Sequence, residues 1–244
     1  MDSKKMNKQR KNLKEALEVL KNNGFDPSII FDIGVANGTK DIYEIYPNSY
    51  YYLIEPLIEF EKNMQDILKN IKGEYVLAAA GSYNGEIKIN VHTDHLVGSS
   101  IFKETMGEGA DGIERMVPII RIDKIINTTI DKIINTTIDK QKILLKLDVQ
   151  GAELEALNGC KNILNNIEVI ITEVSMFQFM KGAPEFFDVV SYIKNINFVV
   201  YDIIFGWNRP LDNALGQVDL VFVRDSSFLR KDHSFSTIEQ LKHI

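Results

Sequence analysis

Asp32, Gly34, Gly38 and Glu55 are the residues whose types and spacing most directly suggest chemistry. Residues 31–39 read FDIGVANGT and residues 51–56 read YYLIEP. One apolar run leads into two glycines and a short polar-apolar stretch, and a second apolar run ends on a carboxylate. The glycines permit a tight turn with no side chain between the backbone and a ligand. A helix starting near Thr39 turns its first free N–H groups toward the same space. Glu55, at the tip of the second strand, is placed to accept two hydrogen bonds from a ribose diol. The pattern predicts a site for an adenosine-containing cofactor.

The type of cofactor turns on charge and glycine spacing. A dinucleotide turn reads G-x-G-x-x-G, so that a pyrophosphate meets the helix N-terminus. Here the spacing is G-x-x-x-G, with Ala36 and Asn37 between the glycines and acidic Asp32 before them. A carboxylate at that place opposes a pyrophosphate and suits a cation. S-adenosyl-L-methionine, with a sulfonium and an ammonium, fits better than NAD. A turn that binds nothing is the other alternative.

The elements that must position these residues follow from the apolar pattern. Strands are expected at 29–33, 51–54, 75–80 and 87–91, and again at 143–149, 169–174, 198–204 and 218–223. Most are short, β-branched and continuously apolar, as in a sheet covered on both faces. Helices expected at about 40–46, 57–71, 152–164 and 184–195 alternate with them, which implies a parallel, doubly wound α/β sheet. The last two strands are joined by a loop, so the final one should run antiparallel. Residues 93–121 form a Gly-rich polar connection, expected to act as a substrate lid. The octapeptide IDKIINTT occurs in tandem at 122–129 and 130–137, read as an insertion in a surface connection.

In such sheets ligands sit at the carboxyl ends of the strands, near the point where strand order reverses. Residues 144–157 read LLKLDVQGAELEAL, which places Lys146 and Asp148 among apolar neighbours and Glu153 in the first turn of the next helix. Glu173 ends the following strand. Charges in an apolar layer must be paired or used, and a Lys146 ion pair that only fixes the strand is the alternative. Ala79 and Ala80 end the third strand with side chains small enough for an adenine to lie over the backbone. His92, followed by Asp94, is a further acid-base candidate, as is Glu153. Ser99, Ser100, Trp207 and Arg209 fall on loops expected near the mouth, where Trp207 could stack on a sugar ring and Arg209 meet an acidic group. No His/Cys cluster has zinc spacing, and no metal is expected.

Composition narrows the class. The 244 residues are 45% apolar and 25% charged, ordinary for a globular protein with one substantial core. A net charge of −6, with no basic stripe over the cofactor half, argues against nucleic acid as a partner. No apolar run reaches the roughly 18–20 residues of a membrane span. A lone Cys160 and an N-terminus without a signal-like apolar stretch point to the cytoplasm. The basic residues Lys4, Lys5, Lys8, Arg10, Lys11 and Lys14 read as the solvated side of a short helix within residues 1–25. Residues 26–244 are expected to form a single domain. Oligomeric state has no signal in the sequence.

The motifs DIGVANG, LIEP, AAAGSYNGEIKINVH, GSS, LLKLDVQGAELEAL and TEVSMF occur in an order that resembles the FkbM-like methyltransferases, and the later PLDNALGQVDLVFV resembles one branch of them. The K-x-D-x-x-G-x-E block is the most specific of these. The resemblance covers nearly the whole chain, about residues 30–230. It implies a class I methyltransferase (Rossmann-like) fold with a mostly parallel seven-stranded sheet, helices on both faces and an antiparallel last strand. It further implies S-adenosylmethionine-dependent O-methylation, often of sugars in glycans, lipid-linked saccharides or natural products. On this basis the cofactor rests on Asp32, Gly34, Asn37, Gly38, Glu55 and the Ala79-Ala80 backbone, flanked by Ala36, Thr39 and Pro56, with Asp148 near the methyl group. The acceptor's proton requires a base, ranked Asp148, Glu153, His92, with Lys146 beside them. Nitrogen or phosphoramidate-type acceptors, and a binding module without catalysis, remain as alternatives.

Overall fold

The five residues Ile29–Ile33 (β1) are all buried, Asp32 among them, because β1 lies at the centre of a sheet covered on both faces. The computed structural model describes residues 9–125 and 143–242. Strand β1 pairs in parallel with β2 (Tyr50–Glu55) on one side and β7 (Ile143–Leu147) on the other. Strand β3 (Lys72–Leu77) extends the sheet beyond β2. Beyond β7 lie β8 (Ile167–Ser175), then β10 (Leu215–Arg224), then β9 (Phe198–Asn208). Only β10 runs antiparallel, inserted between β8 and β9. The order β3-β2-β1-β7-β8-β10-β9 reverses between β1 and β7, which is where such sheets bind ligands.

Two apolar layers close the sheet. On one face, Phe31, Ile33, Leu145 and Leu147 pack with residues of α4 (Glu153–Asn158) and α5 (Phe186–Asn195). On the other, Ile30, Leu53 and Leu144 pack with α1 (Leu13–Asn22), α2 (Lys40–Ile45) and Met64 of α3 (Glu61–Ile67). Helix α1 buries Ala16, Leu17 and Leu20, as its spacing predicts, and Asn12 caps it by accepting from the Glu15 N–H. Of the basic residues expected on its solvated side, Arg10 precedes the helix and pairs part-buried with Asp202, Lys14 pairs with Glu44, and Lys4, Lys5 and Lys8 lie outside the described residues. The chain ends in a short helix, α6 (Ile238–Leu241).

A second, three-stranded sheet differs from expectation. Strands β4 (Ala79–Ala80), β5 (Gly85–Val91) and β6 (Ile113–Ile120) pair in the order β4-β6-β5. The third expected strand is thus split, with β3 in the main sheet and Ala79-Ala80 turned into the small one. The C-terminal part of the supposed lid at 93–121 is strand β6, whose Arg115 forms a bidentate pair with Glu59. The helix expected at 57–71 is shorter, a 3-10 turn at Ile58–Phe60 followed by α3. Gly73 lies inside β3, where any side chain would strike the Tyr51 carbonyl. The helix expected at 152–164 ends at Asn158. The second octapeptide copy, and the reading of it as an insertion, lie outside the described residues.

Candidate active site

At the β1/β7 reversal, a cleft of about 470 Å³ opens over the carboxyl ends of the strands. Its floor is the turn after β1. Gly34 there has φ +74°, and a side chain on it would collide with the Asp148 backbone carbonyl. The Asp148 N–H in turn donates to the Ile33 carbonyl at 3.0 Å, so the two strand ends meet backbone to backbone. Ala36 also adopts positive φ, at +42°, and Gly38 at +92°. Ala36, Asn37, Gly38 and Thr39 all line the cleft.

Glu55 closes one end. It is buried, with one oxygen accepting the Ala36 N–H (3.1 Å) and the other the Leu57 N–H (3.0 Å). Each oxygen retains a second lone pair facing a lined cleft. Burial raises the Glu55 carboxyl above its ordinary value, while the two N–H donors act against that shift. Pro56, Leu57, Phe60, Ala79 and Ala80 supply an apolar wall beside it.

Lys146, Asp148 and Glu173 stand at the other end. Lys146 Nζ lies 3.3 Å from Asp32 and 3.4 Å from Asp148, and donates to the Gly34 carbonyl at 3.2 Å. Burial alone would lower its pKa, but Asp32 and Asp148 together raise it and keep it charged. The Gln150 amide nitrogen bridges Asp148 (3.1 Å) and Glu173 (3.3 Å). Gln217 donates to the same Glu173 oxygen at 2.7 Å. Burial, then the negative charge of Asp148, Asp219 and Glu153, pushes Glu173 up to about 8. Burial and Asp148 raise Asp219 to about 6. The end of the cleft is therefore crowded with acid and short of cations.

Four residues singled out in the sequence do not reach this cleft. Asp32 is fully buried beneath the turn, where it accepts from Thr39 Oγ1 (3.1 Å) and the Tyr43 hydroxyl (2.5 Å). It holds the turn from behind. Glu153 accepts the Gly151 N–H at 3.1 Å, and burial raises it to about 7. His92 lines a separate hollow with Asp94 and Asp111, its Nε2 3.7 Å from Glu104. Arg209 is held by Asp212 through two hydrogen bonds and lies 3.7 Å over the Phe177 ring. Its guanidinium is paired within its own loop.

Ser99, Ser100 and Trp207 do line the cleft. Ser99 Oγ accepts the His92 N–H, and Ser100 Oγ donates to the Gln150 carbonyl, so both also tie the 93–112 segment to the sheet. Gln150 and Gln217 went unremarked in the sequence. The signals were present: Gln217 interrupts an apolar strand, and Gln150 precedes a glycine and takes φ +50°. Among the described residues, no group of three or more His, Cys, Asp or Glu is placed to hold a metal ion.

Residues 18–200 match the family model of the methyltransferase FkbM domain, three quarters of the chain, and the protein belongs to that family. It is a methyltransferase, and S-adenosyl-L-methionine is the methyl donor of its class. No curated protein sequence matches the chain. Among solved structures, it is similar to an S-adenosylmethionine-dependent methyltransferase from Clostridium acetobutylicum (9% identity, 92% of each chain covered, TM-score 0.46). It is also similar to a Streptococcus mutans structure in complex with SAH (13% identity, 89% of this chain and 99% of that one, TM-score 0.45). An rRNA methylase from Streptococcus thermophilus gives 11% identity, 86% and 94% coverage and a TM-score of 0.42. At these identities the likeness concerns fold alone, and the family assignment rests on the sequence match.

The residues present fit the donor. The turn at Gly34, the Glu55 carboxylate and the small Ala79-Ala80 wall line one cleft and suit an adenosine. The acid at the Asp148 end suits a cationic sulfonium.

Proposed function

We propose that this enzyme methylates a hydroxyl of a sugar or glycoconjugate. The observation that carries the reading is the polarity of one cleft. Glu55 lines it from the end of β2 on one side of β1, and Asp148 and Glu173 line it from the ends of β7 and β8 on the other side. The methyl donor would rest on Gly34, Ala36, Asn37, Gly38, Thr39, Glu55, Pro56, Ala79 and Ala80, with Asp148 beside the transferred group. An acceptor hydroxyl must lie in line at about 3 Å, and this positioning supplies much of the rate. The O–C bond forms as the C–S bond breaks, and the hydroxyl proton has to leave. Asp148, half-exposed and fixed by Lys146 and Gln150, is the candidate base that faces the cleft. Glu173, Ser99, Ser100 and Trp207 line the acceptor side.

The surplus of acid in the cleft supports a non-nucleic acceptor, since phosphates need cations. We also take residues 26–244 as one catalytic domain, with α1 (Leu13–Asn22) packed against its sheet. A cytoplasmic setting agrees with the single, buried, unpaired Cys160. Among the described residues, no helix is long and apolar enough to cross a membrane.

Two experiments test the reading. Calorimetry with S-adenosylhomocysteine should show binding that weakens about tenfold or more in Glu55→Gln, the scale of a lost charged hydrogen bond. Undiminished affinity in that variant removes the ribose role of Glu55. Incubation with isotopically labelled methyl donor and cellular glycan extracts should place label in base-stable methyl ethers. Label found only in protein, nucleic acid or amines would overturn the sugar assignment.

A further inference from the structure

Strands β9 and β10 lose register twice at the cleft. Leu215 pairs with Asn208, Gln217 with Trp207 and Asp219 with Ile204, which leaves Gly216 extra on one strand and the Phe205-Gly206 pair on the other. Bulges of this kind re-aim a side chain and gather beside functional sites. Both positions are closely packed. A side chain at 216 would press on the Trp207 ring, and one at 206 would strike the Gln217 carbonyl.

The indole so aimed is braced from behind. It lies nearly parallel to Phe179 (11°, centroids 6.2 Å), Phe179 packs on Phe177 at 6.0 Å, and the Arg209 guanidinium covers Phe177. Yet Trp207 is 49% exposed and lines the cleft. A large aromatic that is rigidly mounted and left open offers contact area at little entropic cost to an incoming apolar face. Its register partner Gln217, hydrogen-bonded to Glu173, places donors and acceptors at the edge of that face. A pyranose presents this combination, a C–H face rimmed by hydroxyls.

The surrounding charge is one-sided. The Asp148 carboxylate faces the cleft beside a Glu173 carboxyl that burial holds uncharged at neutral pH, and Lys146 is already paired with Asp32 and Asp148. Arg209, the nearest other cation on this loop, is committed to Asp212. A phosphate or carboxylate entering beside the indole would meet like charge without a free partner.

We propose that Trp207 is the platform of an acceptor subsite that takes an uncharged sugar ring and rejects acceptors carrying an anionic group next to the methylated hydroxyl. The proposal rests on the methyltransferase reading of the same cleft and narrows its substrate. Trp207 is the sole tryptophan of the chain, so its emission reports on the subsite directly. The protein saturated with S-adenosylhomocysteine is titrated with neutral methyl hexopyranosides, hexose 6-phosphates and hexuronates. Neutral glycosides should change the emission saturably and bind about tenfold or more tighter than either anionic series, a gap of 1.4 kcal/mol. In Trp207→Ala, calorimetry should show the glycosides lost and S-adenosylhomocysteine retained. Equal or tighter binding of the anionic sugars, no response to any sugar, or glycoside binding unchanged in Trp207→Ala would overturn the subsite. Failure of S-adenosylhomocysteine to bind the unaltered protein would remove the methyltransferase reading itself and the subsite with it.

Discussion

Asp32 and Lys146 are register partners on adjacent strands and pair at 3.3 Å where the strand order reverses. Each does more than neutralise the other. Asp32 fixes Thr39 and Tyr43 behind the glycine turn, while Lys146 reaches forward to the Gly34 carbonyl and to Asp148. One buried pair thus ties the cofactor turn to the carboxylate at the reacting end. Replacing Lys146 by Met leaves Asp32 charged and enclosed, which costs about 3–5 kcal/mol when one partner of a buried pair is removed. Urea unfolding of Lys146→Met should show that loss. A change below about 1 kcal/mol, the size of a surface pair, would mean the pair does not hold this junction.

The turn itself has little tolerance. Gly34→Ala adds a methyl group directly against the Asp148 carbonyl and forces a side chain to accept φ +74°. Strain of that kind costs of order 1–3 kcal/mol before the collision is counted. The variant should melt several degrees lower and lose S-adenosylhomocysteine binding. Gly107 provides the control, with φ +109° and nothing near its Cβ position. Gly107→Ala should leave ligand affinity unchanged, and equal losses in both variants would argue that conformation alone, not the close strand contact, is at stake.

Much of this was legible in the sequence, and the reasons are local. Gly34, Gly38, Glu55, Lys146 and Asp148 lie within short segments whose pattern specifies strand, turn and strand end. Continuous apolar runs marked strands of the main sheet, and the family resemblance supplied their number, seven. The small sheet did not, because β6 reads IERMVPII, with charges and a proline on the exposed face of a strand covered on one side only. Depth was also invisible. Asp32 looked like a ligand contact, yet its position beside Lys146 is fixed by pairing between residues more than a hundred apart. His92 looked like a base, yet past the end of β5 it lines a separate hollow beside Glu104. The Trp207 platform depends on two bulges, a tertiary feature with no periodic signature.

The acid cluster predicts a pH response with a definite sign. Glu173 rises from an ordinary 4.5 to about 8 on folding, through burial and neighbouring carboxylates. Between those values the folded chain holds a proton that the unfolded chain has released. Stability from this group is therefore complete below about pH 4.5 and declines as pH rises through 8. In Glu173→Gln that decline should disappear, so the variant gains on the unaltered protein between pH 5 and 9. Unfolding free energies measured across that range check this. Parallel curves for the two proteins would show that Glu173 is ionised in the fold throughout.

Asp148 separates binding from turnover. Its carboxylate is held by Lys146 and Gln150, while its backbone carbonyl fills the space at Gly34. Asp148→Asn keeps the backbone contact and the shape and removes the charge. S-adenosylhomocysteine carries no sulfonium, so its affinity should change little. If Asp148 receives the acceptor's proton, methyl transfer should fall about 10²-fold or more. The same fall in turnover with the pH profile intact would instead assign Asp148 to orienting the methyl group, with Glu173, which lines the same cleft, as the proton acceptor. Glu173→Gln then decides between the two carboxylates, since only the true proton acceptor removes the rising limb of the rate with pH.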